Sequence, residues 1–150
     1  MSTLSPHPAV VDIEIITGNP IDVNFLLKQA HHPGAGGIVL FSGEVRDSHA
    51  GKTVKYLLYE AYVPLARKIL RQIVESAIEK WNLNYAAAVH RTGKVGISEC
   101  AVVVVTSHAH RKEAYEANQY IIDRIKHEAP IWKCEHFEDG THEWGGNCRQ

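Results

Sequence analysis

The chain has 150 residues, 45% of them hydrophobic, and its 16 Lys plus Arg against 17 Asp plus Glu leave a formal charge of −1. That length suffices for one buried core and is short for two, which predicts a single domain over residues 1–150. The missing basic excess excludes nucleic acid as a partner held by bulk charge, so any attraction for anions must be local. No apolar run reaches the roughly 20 residues that span a bilayer, and residues 1–8 lack a cationic start followed by an apolar stretch. No membrane and a cytoplasmic location are expected. Cys100, Cys134 and Cys148 are odd in number and widely spaced, and are expected to be reduced thiols rather than a disulfide framework or a cysteine-rich zinc site.

Residues 10–17 (VVDIEIIT) alternate Val11, Ile13 and Ile15 with Asp12 and Glu14, the pattern of a half-buried strand that Gly18 ends. Asn19-Pro20 predicts the capped start of a short helix carrying Val23, Leu26, Leu27 and Ala30, closed by residues 31–34 (HHPG). Residues 36–45 (GGIVLFSGEV) predict a strand with Arg46-Asp47 at its end, and residues 54–62 (VKYLLYEAY) another. The SHAGKT loop between them is short enough for a hairpin.

Over residues 64–81, Leu65, Ile69, Ile73, Ala77 and Trp81 step by four, with Leu70, Val74 and Ile78 beside them and Pro64 fitting the first turn. Arg67, Lys68, Arg71, Glu75, Glu79 and Lys80 read as the solvated face of that helix. Residues 85–91 (YAAAVHR) and 99–107 (ECAVVVVTS) predict two strands separated by a turn-rich TGKVGIS, and the valine run predicts a strand covered on both sides. Helical spacing from Ala114 through Ala117, Ile121, Ile122 and Ile125 stops at Pro130. Residues 131–137 and 141–144 then predict a terminal hairpin across Glu138-Asp139-Gly140. So many adjacent strands imply an α+β fold with a mixed, largely antiparallel sheet and flanking helices.

Cations collect in residues 106–133 (TSHAHRKEAYEANQYIIDRIKHEAPIWK). Lys126, four residues after Ile122, is either a cation meeting a helix C-terminus or an amine laid along the apolar stripe toward a rim. Lys133, set among Ile131, Trp132 and Cys134, is either an edge-strand lysine or one whose apolar setting lowers its pKa into a reactive range. His110 and Arg111, between a strand and a helix start, suit an anion held by helix dipole and guanidinium. Arg46 offers another cation, and Gly43 permits close backbone approach. His108 and His110 form an H-x-H, but no H-E-x-x-H or cysteine cluster completes a tetrahedral set, so no metal and no cofactor is assigned. No phosphate-binding G-x-x-x-x-G-K-S/T loop and no G-x-S-x-G elbow occurs.

In order, FSGEVRD, LLYEAY, IEKW, VHRTGKVGISE and the whole of SHAHR to APIWK resemble the large, catalytic subunit of molybdopterin synthase, from about Gly36 to Trp144. That resemblance implies an α/β hammerhead-type fold. It also implies sulfur transfer to cyclic pyranopterin monophosphate, forming the dithiolene of molybdopterin in molybdenum-cofactor biosynthesis. The implied sulfur donor is the C-terminal Gly-Gly thiocarboxylate of a small ubiquitin-like subunit, within a heterotetramer built on a central homodimer. Carried over by position, Lys126 and Lys133 fall on the catalytic pair. Glu44, Val45, Arg46, His110, Arg111, Cys134 and Glu135 fall on substrate-binding positions. The tail departs from the family pattern: GGNCRQ follows Trp144, so Arg149 is displaced from the expected late arginine and receives no role.

If Arg111 to Lys126 is one helix, 15 steps of about 1.5 Å put their α-carbons about 20 Å apart. One compact pterin site does not accommodate both from one chain. His110 and Arg111 are therefore expected to act across the dimer, beside Lys126 and Lys133 of the other subunit.

Overall fold

The computed structural model describes residues 13–146. Val10, Val11, Asp12, Cys148 and Arg149, which entered the sequence reading, lie outside the described residues. Two sheets organise the rest. The first has the order β1 (Ile16–Thr17), β5 (Tyr85–Arg91), β7 (Cys100–His108), β2 (Gly37–Glu44). The second runs β3 (Ser48–His49), β4 (Lys52–Ala61), β8 (Ile131–Phe137), β9 (His142–Gly146), with β6 (Gly93–Gly96) on the flank of β4. Among the described residues only the β1–β5 pairing is parallel, which gives the mixed, largely antiparallel α+β architecture expected.

Helix α2 (Val63–Trp81) carries proline in its first turn and ends where Asn82, at φ 54°, takes a left-handed cap. It buries Ala66, Leu70, Ile73, Val74, Ala77 and Ile78 along one stripe. Helix α3 (Arg111–Glu128) buries Ala114, Ala117, Ile121 and Ile125, then stops at Ala129 before Pro130. Both pack on the Ala86, Ala88 and Val104 face of the first sheet. The short α1 (Val23–Gln29) covers the opposite face, where Leu26 and Ala30 meet Tyr85, Ala87, Val89, Val103 and Val105. Valines 102–105 are thus all buried, as their run predicted. Each such side chain removed from water contributes about 1.5–3 kcal/mol. A third cluster, Val45, Val54, Leu57, Val95, Ala101 and Phe137, joins the two sheets.

Four local readings are corrected. The strand expected over residues 10–17 narrows, within the described part, to Ile16–Thr17, the two residues that pair in register with His90 and Arg91 of β5, while Ile15 adds only its carbonyl as acceptor of the His90 N–H at 2.8 Å. The helix cap is Asp22, whose carboxylate accepts the Phe25 N–H at 3.0 Å, rather than Asn19-Pro20. β2 and β4 do not form a hairpin: β2 pairs with β7, whereas β4 turns back on β3 across Ala50 and Gly51, at φ 51° and 80°. TGKVGIS is more than a turn, since its Gly93–Gly96 segment pairs with Tyr56 to Tyr59.

One buried polar group ties α3 to the first sheet. The Asn118 side-chain amide donates to the Val39 carbonyl at 3.1 Å and the Val104 carbonyl at 3.0 Å, while Thr106 Oγ1 donates to the Ala114 carbonyl at 2.7 Å. At the far end of the helix, Gly36 packs so closely on the Ala109 carbonyl that any side chain there would displace the backbone just ahead of His110. The start of α3 and the start of β2 are therefore fixed together, and the helix delivers its last turn to the other end of β2.

Candidate active site

That last turn, the end of β2 and the inner face of the second sheet enclose a recess of about 380 Å³. Its cations are Arg46, Lys126 and Lys133, and its carboxylates are Glu44 and Glu135. Phe41, Gly43, Val45, Leu57, Tyr59, Ala101 and Val102 supply most of the apolar wall. Strand alternation explains who points in: Lys133 and Glu135 are two apart on β8 and face the same side. Their cross-strand partners on β4 are Tyr59 and Leu57. A register shift between Gly43 and Glu44 interrupts the β2–β7 ladder where β2 reaches the recess.

Of the nine residues singled out in the sequence, six line this recess: Glu44, Val45, Arg46, Lys126, Lys133 and Glu135. Cys134 does not. It lies between Lys133 and Glu135 and so faces the other side of β8, opposite Leu58 and Trp144 in register and only 1% exposed. Burial holds its thiol above the ordinary range, which does not favour a reactive thiolate. His110 and Arg111 are exposed at the opposite end of α3 and do not line the recess. His108 Nδ1 is used within this turn, accepting the His110 backbone N–H at 2.9 Å.

The electrostatics are those of a partly dried cationic site. Much of the Lys126 residue surface is accessible, but protein packed about its amine, together with the nearby charge of Lys133, pulls its pKa below the usual lysine value. Glu135 is 8% exposed and meets His49 Nε2 at 3.7 Å. Burial, then the Glu135 charge, pushes the Tyr59 phenol up to about 12. Behind Tyr59, burial lowers His90 to about 4, with the Lys126 charge acting in the same direction against a hydrogen bond to the Arg91 carbonyl. Tyr59, His90 and His49 were not among the sequence candidates; their places depend on strand register and on contacts between distant segments.

A second recess, of about 260 Å³, lies beside α1 among Ile13, Ile21, Phe25, Leu26 and Val89. Its charged groups are Glu14 and Asp22, so it lacks cations to hold an anion. Among the described residues no three His, Cys, Asp or Glu side chains gather as a metal site, and no helix is long and apolar enough to cross a membrane.

Arg46, Lys126 and Lys133 gather their positive charge around one recess of an α+β frame, an arrangement whose charge suits an anionic ligand. Comparison with known proteins makes the class specific. The MoaE protein family matches residues 16–128. The chain is 44% identical over 136 residues to the molybdopterin synthase catalytic subunit of Staphylococcus carnosus, covering 91% of this chain and 89% of that one. It is 46% identical over 132 residues to that of Bacillus subtilis, covering 88% and 83%. The crystal structure of molybdopterin synthase from Staphylococcus aureus matches with a TM-score of 0.82 at 43% identity, over 87% of this chain and 95% of that one. This chain belongs to the MoaE family, the catalytic subunits of molybdopterin synthase.

Proposed function

We propose that Lys126 and Lys133 are the catalytic pair of this chain, with Lys126 as the acid/base group or transient covalent anchor and Lys133 positioning thiocarboxylate and substrate. The reaction is sulfur transfer from the C-terminal thiocarboxylate of a small ubiquitin-like subunit to cyclic pyranopterin monophosphate, which forms the dithiolene of molybdopterin. The observation that carries the assignment is the meeting of both lysines with Arg46 in one recess, where Lys126 is more easily deprotonated than an ordinary lysine. Arg46 then binds the anionic part of the substrate, and Glu44, Val45 and Glu135 shape the wall. The whole chain acts as one domain in the cytoplasm.

Incubating the protein with thiocarboxylated small subunit and the pterin precursor tests this reading. Dithiolene product supports it; partner binding without product reduces the chain to a binding module.

His110 and Arg111 complete the pocket of the other large subunit in the central homodimer. Support for that division comes from the helix itself, because Arg111 and Lys126 are 15 residues apart on α3. A purified mixed dimer of Lys126→Ala and Arg111→Ala protomers should then keep one intact site of its two and about half the activity of the parent dimer. Mixed dimers as inactive as the two parental variants would sink the shared site.

A further inference from the structure

Releasing sulfur from an acyl donor creates a demand that the cations of the recess do not meet alone. Once the thiocarboxylate sulfur has bonded to the pterin, the acyl group is a thioester. Water oxygen then adds to the acyl carbon, its proton passes to a free amine, and the carbonyl electron pair moves onto oxygen. When the tetrahedral species collapses, the carbon–sulfur bond breaks with its electron pair going to sulfur, the remaining hydroxyl proton passes to that sulfur so that it leaves on the pterin as thiol, and the acyl group leaves as carboxylate. The transient oxyanion needs a fixed donor. A lysine that has given up its proton to accept one from water offers little to that oxygen.

We propose that Tyr59 is a further catalytic residue of this site, its phenolic O–H donating to the oxyanion, and that His90 is the positioning residue that fixes its ring. This rests on the sulfur-transfer reading above. Tyr59 lines the recess and is the cross-strand partner of Lys133 on β8. Its hydroxyl has no hydrogen-bond partner among the described residues, yet it is not sealed into the core as that of Tyr85 is. A free, accessible donor therefore stands beside one of the two lysines. The other hydroxyls of the recess are poorer candidates: Ser42 Oγ donates to Glu44 at 3.3 Å, and Ser48 belongs to the exposed β3 edge.

The ring is held from behind. His90, 3% exposed, meets Tyr59 edge-on with centroids 5.1 Å apart and planes at 71°. Its Nδ1 lies 2.8 Å from the Arg91 carbonyl oxygen, which can only accept, so Nδ1 carries the proton. That hydrogen bond fixes the orientation of the imidazole. Because burial and Glu135 push the phenol up to about 12, it remains a donor at any pH where a lysine could exchange protons.

The test is Tyr59→Phe, which removes one oxygen from a ring that stays packed on His90, assayed in the complete complex with thiocarboxylated partner. Turnover should fall about 100-fold, the usual effect of deleting one oxyanion donor, with KM for the pterin changed less than about twofold. The loss should be the same from pH 6 to pH 9, about the range in which neither phenol nor His90 titrates. His90→Gln should lower turnover too, and should cost less in the Tyr59→Phe background than in the parent, since a positioning residue acts through the group it positions. Turnover of Tyr59→Phe within about twofold of the parent, a loss that grows or fades across that pH range, or full additivity with His90→Gln each overturns the proposal. Absence of product from the parent protein removes the sulfur-transfer reading and this inference together; normal parent turnover with unaffected Tyr59→Phe removes this inference alone.

Discussion

Lys126→Ala is expected to lower turnover to dithiolene product by about 10³-fold or more, with partner binding and thermal midpoint nearly unchanged. Two features separate the effect on chemistry from any effect on folding. Lys126 sits in the exposed last turn of α3, after the buried Ile121 and Ile125 that anchor the helix, so truncating it opens no core cavity. The favourable meeting of its charge with the helix C-terminus is worth about 0.3–1 kcal/mol, and relief of the repulsion by Lys133 acts against that loss. Chemistry has no such compensation. Because burial and Lys133 both favour the free amine, the proton on Lys126 exchanges below the ordinary lysine range, which is what an acid/base group near neutral pH requires. The limb of the rate–pH profile assigned to this amine should therefore fall below 10.5. Single-turnover kinetics with preloaded thiocarboxylate provide the measurement. A variant retaining more than about a tenth of the parent rate would remove Lys126 from the acid/base role.

How much of this was visible in the sequence depends on the distance over which each feature is determined. α2 and α3 are set by local periodicity and terminators, and most of each apolar stripe is buried, although Leu65 is exposed and Ile69, Trp81 and Ile122 are only half-buried. The strand over residues 85–91 has the bounds read from its composition. The β2–β4 hairpin failed because adjacency in the chain is not pairing in space: β4 finds β8 and β6, while β2 finds β7. β6 was hidden because four residues bounded by glycines look like a turn until a partner strand is known.

The site divides in the same way. Lys133 and Glu135 share a face because side chains alternate, a rule that also turns Cys134 away; the family pattern did not distinguish the three. Tyr59 was read only as part of the strand over residues 54–62, since its place opposite Lys133 depends on the register of β4 against β8. Asn118 fell within the α3 pattern without a role, and only the fold shows its amide bonded to two sheet carbonyls.

His90 leads to the second large effect, on stability rather than rate. In the unfolded chain its imidazole titrates at the ordinary value of 6.5; in the fold it titrates at about 4. The groups that face it are Tyr59 from β4 and Lys126 from α3, one uncharged and the other of the wrong sign to hold a proton there. Only the Arg91 carbonyl hydrogen bond opposes the shift. The sign follows directly. Between about pH 6.5 and 4 the unfolded state binds a proton that the folded state does not, so stability falls as pH falls through this window and is intact above it. At 1.36 kcal/mol for each pH step, the accumulated loss is about 3 kcal/mol by pH 4. Chemical denaturation at half-unit steps from pH 7.5 to 4.5 avoids most of the range in which Glu99, Glu128 and Asp139, whose carboxyls are held below their ordinary values, begin to lose their own contributions. His90→Gln has no proton to gain, so its stability curve should be flatter by about 2–3 kcal/mol over that interval even if it starts lower at pH 7.5. Curves of equal slope for the two proteins would mean that His90 is not the buried neutral base under the recess, and would remove with it the fixed ring on which Tyr59 rests.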